Sequence, residues 1–209
     1  MSAAALRHGP VADAIRRHRL IAVLRRVQPR DALVRLVDEL ADAGVRVFEV
    51  TLDTAEGADD IAAVRAHLAA VDCLVGAGTV LREEQLDAAR ASGADFAVAP
   101  LLDLGLMRSA LDGGLPFVPG VMSPTEAAAA WDGGATFVKL FPASSVGPSF
   151  VRELRGPLPQ VQVIPTGGIA ATNAGAFLAA GAVAVGIGSA ITRGTPGERR
   201  ALVQSLVAT

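Results

Sequence analysis

Lysine is almost missing from this chain: of its 19 basic residues 18 are arginine, and Lys139 is the only lysine. Cysteine is as rare. Cys73 stands alone in an apolar run, so it reads as a core residue, no disulfide can form within the chain, and a reducing compartment suits it. Charge-free apolar runs of 18 residues are absent, which excludes a spanning helix read from sequence. The segment from Met1 to Leu20 is interrupted by Arg7, His8, Arg16, Arg17, His18 and Arg19 and so lacks the apolar stretch of a signal peptide. An excess of one charge is missing too: 19 basic residues against 21 acidic ones leave a net charge of -2, with no electrostatic case for nucleic acid or an anionic membrane. The three histidines, His8, His18 and His67, have no second ligand at metal spacing, and there is no G-x-S-x-G or Walker loop. The expectation is a cytoplasmic protein acting on a small molecule without metal or cofactor.

What is present is apolar and periodic. With 209 residues, 51% of them hydrophobic, the chain can bury one large core, so a single domain over 1–209 is expected. Eight short runs read as strands: Leu20 to Arg25, Arg46 to Leu52, Asp72 to Thr79, Phe96 to Pro100, Pro116 to Gly120, Phe137 to Phe141, Gln162 to Thr166 and Ala182 to Gly188. Most are continuously apolar, as parallel strands covered on both faces require. Helical patterns lie between them, and five times a helix ends on glycine just before a strand, at Gly44, Gly93, Gly114, Gly134 and Gly181. Ser123-Pro124-Thr125-Glu126 carries a cap, a first-turn proline and a capping-box glutamate. These units predict an α/β fold, a (β/α)8 TIM barrel, with an extra N-terminal helix near Val11 to His18 closing its bottom. An open doubly wound sheet is the competing arrangement, but no G-x-G-x-x-G turn follows the first strand.

In such a barrel the chemistry sits at the C-terminal ends of the strands. Lys139 lies there within Phe137-Val138-Lys139-Leu140-Phe141. Desolvation disfavours an ammonium, and the neutral amine is the nucleophile that attacks a ketone; the alternative is a lysine paired with a buried carboxylate for structure. Glu49, within Val47-Phe48-Glu49-Val50-Thr51, fits a proton shuttle beside that amine or a salt bridge at the rim. Arg25 ends the first strand as a candidate anion ligand; Arg26 is adjacent, so one of the two is expected to face solvent. Gly76-Ala77-Gly78-Thr79 offers small residues for close backbone approach to a ligand and a hydroxyl. Thr166-Gly167-Gly168-Ile169 and Gly186-Ile187-Gly188-Ser189 stand where barrels bind phosphate, or are simply tight turns.

From Leu20 to Ile191 the chain resembles the 2-keto-3-deoxy-6-phosphogluconate (KDPG) aldolases and the related phosphogalactonate and 4-hydroxy-2-oxoglutarate aldolases. The resemblance rests on Ile21-Ala22-Val23-Leu24-Arg25, Phe48-Glu49-Val50-Thr51-Leu52, Val75-Gly76-Ala77-Gly78-Thr79-Val80-Leu81, Pro119-Gly120, the Ser123 cap, Val138-Lys139-Leu140-Phe141-Pro142 and Pro165-Thr166-Gly167-Gly168-Ile169. It implies a class I aldolase with Lys139 as Schiff-base lysine, Glu49 as acid/base and Thr79 against the pyruvyl part of the substrate. It further implies that Arg25, Gly168, Gly188 and Ser189 surround the substrate, with the glycine turns on its phosphate, in a metal-free homotrimer. Two positions depart from the pattern. Asp53 stands where many members carry a substrate-binding arginine, so it is expected to repel a substrate carboxylate unless it turns away or serves a substrate with a different polar group there, and Ala99-Pro100-Leu101 replaces the usual Ser-Pro-Gly or Thr-Pro-Asn. A phosphosugar isomerase or epimerase and a non-catalytic sugar-phosphate sensor remain competing readings.

Overall fold

Among the residues described by the computed structural model, 2–207, nine short parallel strands alternate with helices; Met1, Ala208 and Thr209, the ends of the expected domain, lie outside them. The strands are β1 (Leu20–Leu24), β2 (Val47–Thr51), β3 (Leu74–Gly78), β4 (Ala97–Val98), β5 (Phe117–Val118), β6 (Gly120–Val121), β7 (Val138–Leu140), β8 (Val163–Pro165) and β9 (Val185–Ile187). Each expected run contains a strand, shortened where the chain turns away. The run Pro116 to Gly120 is the exception, because Pro119 divides it into β5 and β6. Proline has no N–H for a ladder; its carbonyl still accepts from Lys139 N at 2.8 Å.

Pairing gives a six-stranded sheet, β5-β4-β3-β2-β1-β9, and a three-stranded sheet, β6-β7-β8. An isolated parallel bridge between Thr166 and Gly186 links the end of β8 to β9. The fold is therefore α/β with parallel strands.

The helices are α1 (Ala3–Arg7), α2 (Pro10–His18), α3 (Arg30–Ala43), α4 (Gly57–His67), α5 (Glu83–Ala91), α6 (Leu104–Asp112), α7 (Pro124–Asp132), α8 (Gly147–Leu154), α9 (Ala171–Ala179), α10 (Ser189–Thr192) and α11 (Pro196–Val207). The five glycines expected to end helices all have positive φ, 111° at Gly44 for example. Ser123 caps α7 as expected, accepting from Glu126 N at 3.2 Å, while the Glu126 carboxylate accepts from Met122 N at 2.9 Å. α1 is an element without an expectation behind it. Arg7 ties it down, stacking 3.9 Å from the Trp131 ring centroid and donating to Ala135 O at 2.8 Å.

Successive strand residues point to opposite faces, and the two faces bury separate clusters. Leu20, Ala22 and Leu24 of β1 and Phe48 and Val50 of β2 belong to the cluster that also holds Leu33, Val37 and Leu40 of α3. The alternate residues Ile21, Val23 and Val47 join Phe96, Val98, Val118, Phe137, Ile164 and Ala184 in a second cluster. Ala12 and Ile15 of α2 complete this second cluster, as the expected N-terminal helix should. None of the helices among the described residues is long and apolar enough to cross a membrane.

Candidate active site

Counting in twos along the strands carries the second cluster toward the strand ends and changes its chemistry. Val47 leads to Glu49 and Phe137 leads to Lys139, so a carboxylate and an amine occupy positions that parity assigns to the interior. Lys139 is 3% exposed and Glu49 2%. They come from different sheets, β7 and β2, and meet with Nζ 3.7 Å from Oε1. That exceeds hydrogen-bond length, and Oε1 is a buried atom with no hydrogen-bond partner among the described residues. A structural ion pair recovers its desolvation cost by close, fully hydrogen-bonded contact. This pair lacks that contact. The Lys139 ammonium position also lies 5.1 Å from the centroid of the Phe141 ring.

β3 makes the room for the carboxylate. A Cβ on Gly78 would collide with Glu49 Oε1, Cγ and Cδ, and one on Gly76 with the Phe96 ring. The small residues expected to admit a ligand's approach instead admit this protein's own side chains. Their partner rows agree: Thr51 of β2 pairs with Gly78, and Glu49 with Gly76.

Lys139 and Phe141 line a cavity of about 510 Å³ with Arg25, Gly168, Gly188 and Ser189. Five of the expected site residues thus share one space. Glu49 and Thr79 do not line it: Glu49 lies against Lys139, and Thr79 Oγ1 accepts from Arg25 Nη2 at 3.2 Å. Thr79 has φ 59°, an unfavourable conformation for a β-branched residue, and such strain concentrates at functional sites. Gly167 and Gly168, with φ 89° and 74°, make a turn that side-chain-bearing residues would resist.

Sequence reasoning did not place three polar cavity residues at the site: Arg26, Thr192 and Arg193. Arg26 is the more exposed of the two adjacent arginines, 67% against 49% for Arg25, as one of them was expected to be, and yet both line the cavity. A positive φ of 52° at Arg26 turns the chain there, which no strand-parity argument anticipates. Thr166, which opens the expected phosphate turn, lines the cavity two residues beyond inward-facing Ile164. Asp53 does turn to cationic partners: Oδ2 lies 3.0 Å from Arg26 Nε and 3.9 Å from Arg25 Nε, while Oδ1 accepts from Thr51 Oγ1 at 2.6 Å.

Comparison with known proteins agrees in extent and in kind. The family model for KDPG and KHG aldolase matches residues 11–198. A 2-dehydro-3-deoxy-6-phosphogalactonate aldolase of Escherichia coli K12 is 33% identical over 187 residues, 89% of this chain and 90% of that protein. A 2-dehydro-3-deoxy-phosphogluconate aldolase of Treponema pallidum is 39% identical over 168 residues, 80% of this chain and 79% of its own. Among solved structures, a KDPG aldolase from Legionella pneumophila with pyruvate captured as a covalent carbinolamine superimposes with a TM-score of 0.81 at 29% identity, covering 93% of this chain and 96% of that one.

Proposed function

The chain belongs to the KDPG and KHG aldolase family, and on that premise we propose that it is a class I aldolase cleaving KDPG or a close relative to pyruvate and glyceraldehyde 3-phosphate. The observation that carries this reading is the buried Lys139 and Glu49 pair, 3.7 Å apart with a carboxylate oxygen left unpartnered.

Lys139 Nζ adds to the C2 ketone, and Glu49 delivers the proton with which the carbinolamine hydroxyl leaves as water. Glu49 then accepts the proton of the C4 hydroxyl as the C3–C4 electron pair moves toward the iminium nitrogen. The aldehyde departs, and the enamine left behind takes a proton at C3. Water adds at C2 of the resulting iminium and releases pyruvate and the free amine. Arg25 and Thr79 hold the pyruvyl end, and backbone N–H groups of the turns at Gly168, Gly188 and Ser189 hold the phosphate, the arrangement common at the ends of the last two strands of a barrel.

We propose further that the two sheets form one closed eight-stranded barrel and a single domain. A gap of one residue, Pro119, between β5 and β6 and the bridge from Thr166 to Gly186 support closure. We place the enzyme in the cytoplasm as a homotrimer. Exposed Leu81 and Leu101, on the loops after the neighbouring strands β3 and β4, and Leu104 at the start of α6 support self-association.

The test is borohydride reduction in the presence of pyruvate, followed by intact mass and peptide mapping. One adduct per chain on Lys139 is expected, and no other lysine can compete. An unmodified mass, or an adduct confined to the N-terminal amine, overturns the Schiff-base reading and leaves the isomerase or sensor readings.

A further inference from the structure

The loop between β1 and α3 carries Arg25 and Arg26 into the cavity, and the segment after β2 grips it at two places. At the near end Asp53 pairs with Arg26 at 3.0 Å and is itself oriented by Thr51. At the far end Asp60, in the first turn of α4 and only 4% exposed, accepts from Gln28 Nε2 at 3.0 Å and Arg30 Nε at 2.7 Å. Arg26 therefore does not hang from a free loop: its backbone is anchored beyond Gln28, and its guanidinium is held at the cavity by a carboxylate. By contrast, among the described residues no ion pair ties Arg193, which also lines the cavity, to a carboxylate.

We propose that Arg26 is a specificity-determining contact for the phosphate of the substrate, and that Asp53 is its positioning residue. The proposal deepens the aldolase reading and rests on it for the identity of the substrate. Arg26 and Arg25 together carry two positive charges against the single negative charge of Asp53, so the mouth of the cavity keeps a net cation for an anion even with the pair intact. A guanidinium paired with a carboxylate on its Nε side still presents its two terminal nitrogens, the geometry that binds phosphate bidentately. Fixing it beforehand lowers the ordering cost of binding. Asp53, unfavourable beside an anion on its own, contributes through the arginine it orients.

The experiment has two arms. In the first, kcat and KM are measured for KDPG and for its unphosphorylated counterpart, 2-keto-3-deoxygluconate, on wild type, Arg26→Ala, Asp53→Asn and the double variant. Arg26→Ala should reduce the preference for the phosphorylated substrate about tenfold, equivalent to about 1.4 kcal/mol, with the loss in KM. Asp53→Asn should weaken binding of the phosphorylated substrate a few-fold, although it removes a negative charge. In the Arg26→Ala background the same change should instead tighten it, because only repulsion is then left to relieve. In the second arm 3-phosphoglycerate is titrated into the same four proteins by calorimetry, a readout that does not need Lys139 chemistry, and Arg26→Ala should weaken its binding.

An unchanged phosphorylated preference in Arg26→Ala, or tighter binding on Asp53→Asn alone, overturns the proposal. Failure of the aldolase reading has a different signature, wild type that is not trapped by pyruvate and borohydride, and the calorimetric arm then still decides whether Arg26 binds the phosphate.

Discussion

Glu49 keeps a carboxylate oxygen in the interior without a hydrogen-bond partner, and an unsatisfied buried group costs on the order of 1–3 kcal/mol, more when charged. A rim salt bridge would stay partly exposed, whereas Glu49 and Lys139 are both buried. Glu49→Gln keeps the shape and removes the proton transfer. Turnover should fall roughly 10²- to 10⁴-fold, while pyruvate trapping on Lys139 persists at a slower rate. Steady-state kinetics beside a trapping time course checks this, and turnover within a few-fold of wild type would return Glu49 to a structural role. Lys139 was legible in the sequence because a chain that uses arginine for its other cations placed its single lysine in an apolar strand. Arg26 was not legible, because its aim depends on a left-handed backbone turn and on Asp53, 27 positions away.

The row of inward positions on β3 shows how an element serves a site without touching substrate. Gly76 yields space to the Phe96 ring and Gly78 to the Glu49 carboxylate, so the same residue type serves packing at one level and chemistry at the next. Gly78→Ala suits a strand better than glycine, but its methyl group must displace the carboxylate. Overpacking of this kind costs about 1–3 kcal/mol, whereas loss of the acid/base geometry should lower turnover by about 100-fold. Gly76→Ala should show the reverse balance, with the larger fall in melting temperature and the smaller fall in kcat. Thermal melts and kinetics on both variants test the distinction. Equal activity in Gly78→Ala and wild type would mean that Glu49 does not need the position it occupies.

At the scale of the whole molecule, the first and last helices, α1 and α11, are fastened by arginine. Arg7 stacks on Trp131 near the start, and near the other end Arg199 of α11 grips Glu39 of α3 through two hydrogen bonds, at 2.7 Å from Nε and 2.6 Å from Nη2. The Arg199 hydrogen bonds hold the Glu39 carboxyl below its ordinary range, and the N–H of Met122, then the Ser123 hydroxyl, do the same for Glu126. A carboxyl lowered in the folded state stabilises above the ordinary glutamate range, and that contribution fades as pH falls through the lowered value. Glu39→Gln should therefore cost about 1 kcal/mol at neutral pH, a figure suited to a partly exposed pair, and the deficit should shrink toward zero in acid. Denaturant unfolding of both proteins across pH reads this difference. A deficit that is constant with pH would assign the clamp's contribution to packing.

The order of strands, the glycine-ended helices and the cap at Ser123 were determined by the sequence alone, because each depends on contacts within a few residues and on periodicity. The same local logic identified the amine and the carboxylate by their cost in apolar strands. Tertiary structure decided what those groups meet. Lys139 and Glu49 are 90 positions apart and belong to different sheets, so their separation of 3.7 Å follows from how the sheets curve toward one another. Whether Asp53 repels an anion or orients a cation was likewise settled by a neighbouring loop, since a side chain's electrostatic effect depends on distances that sequence spacing does not contain.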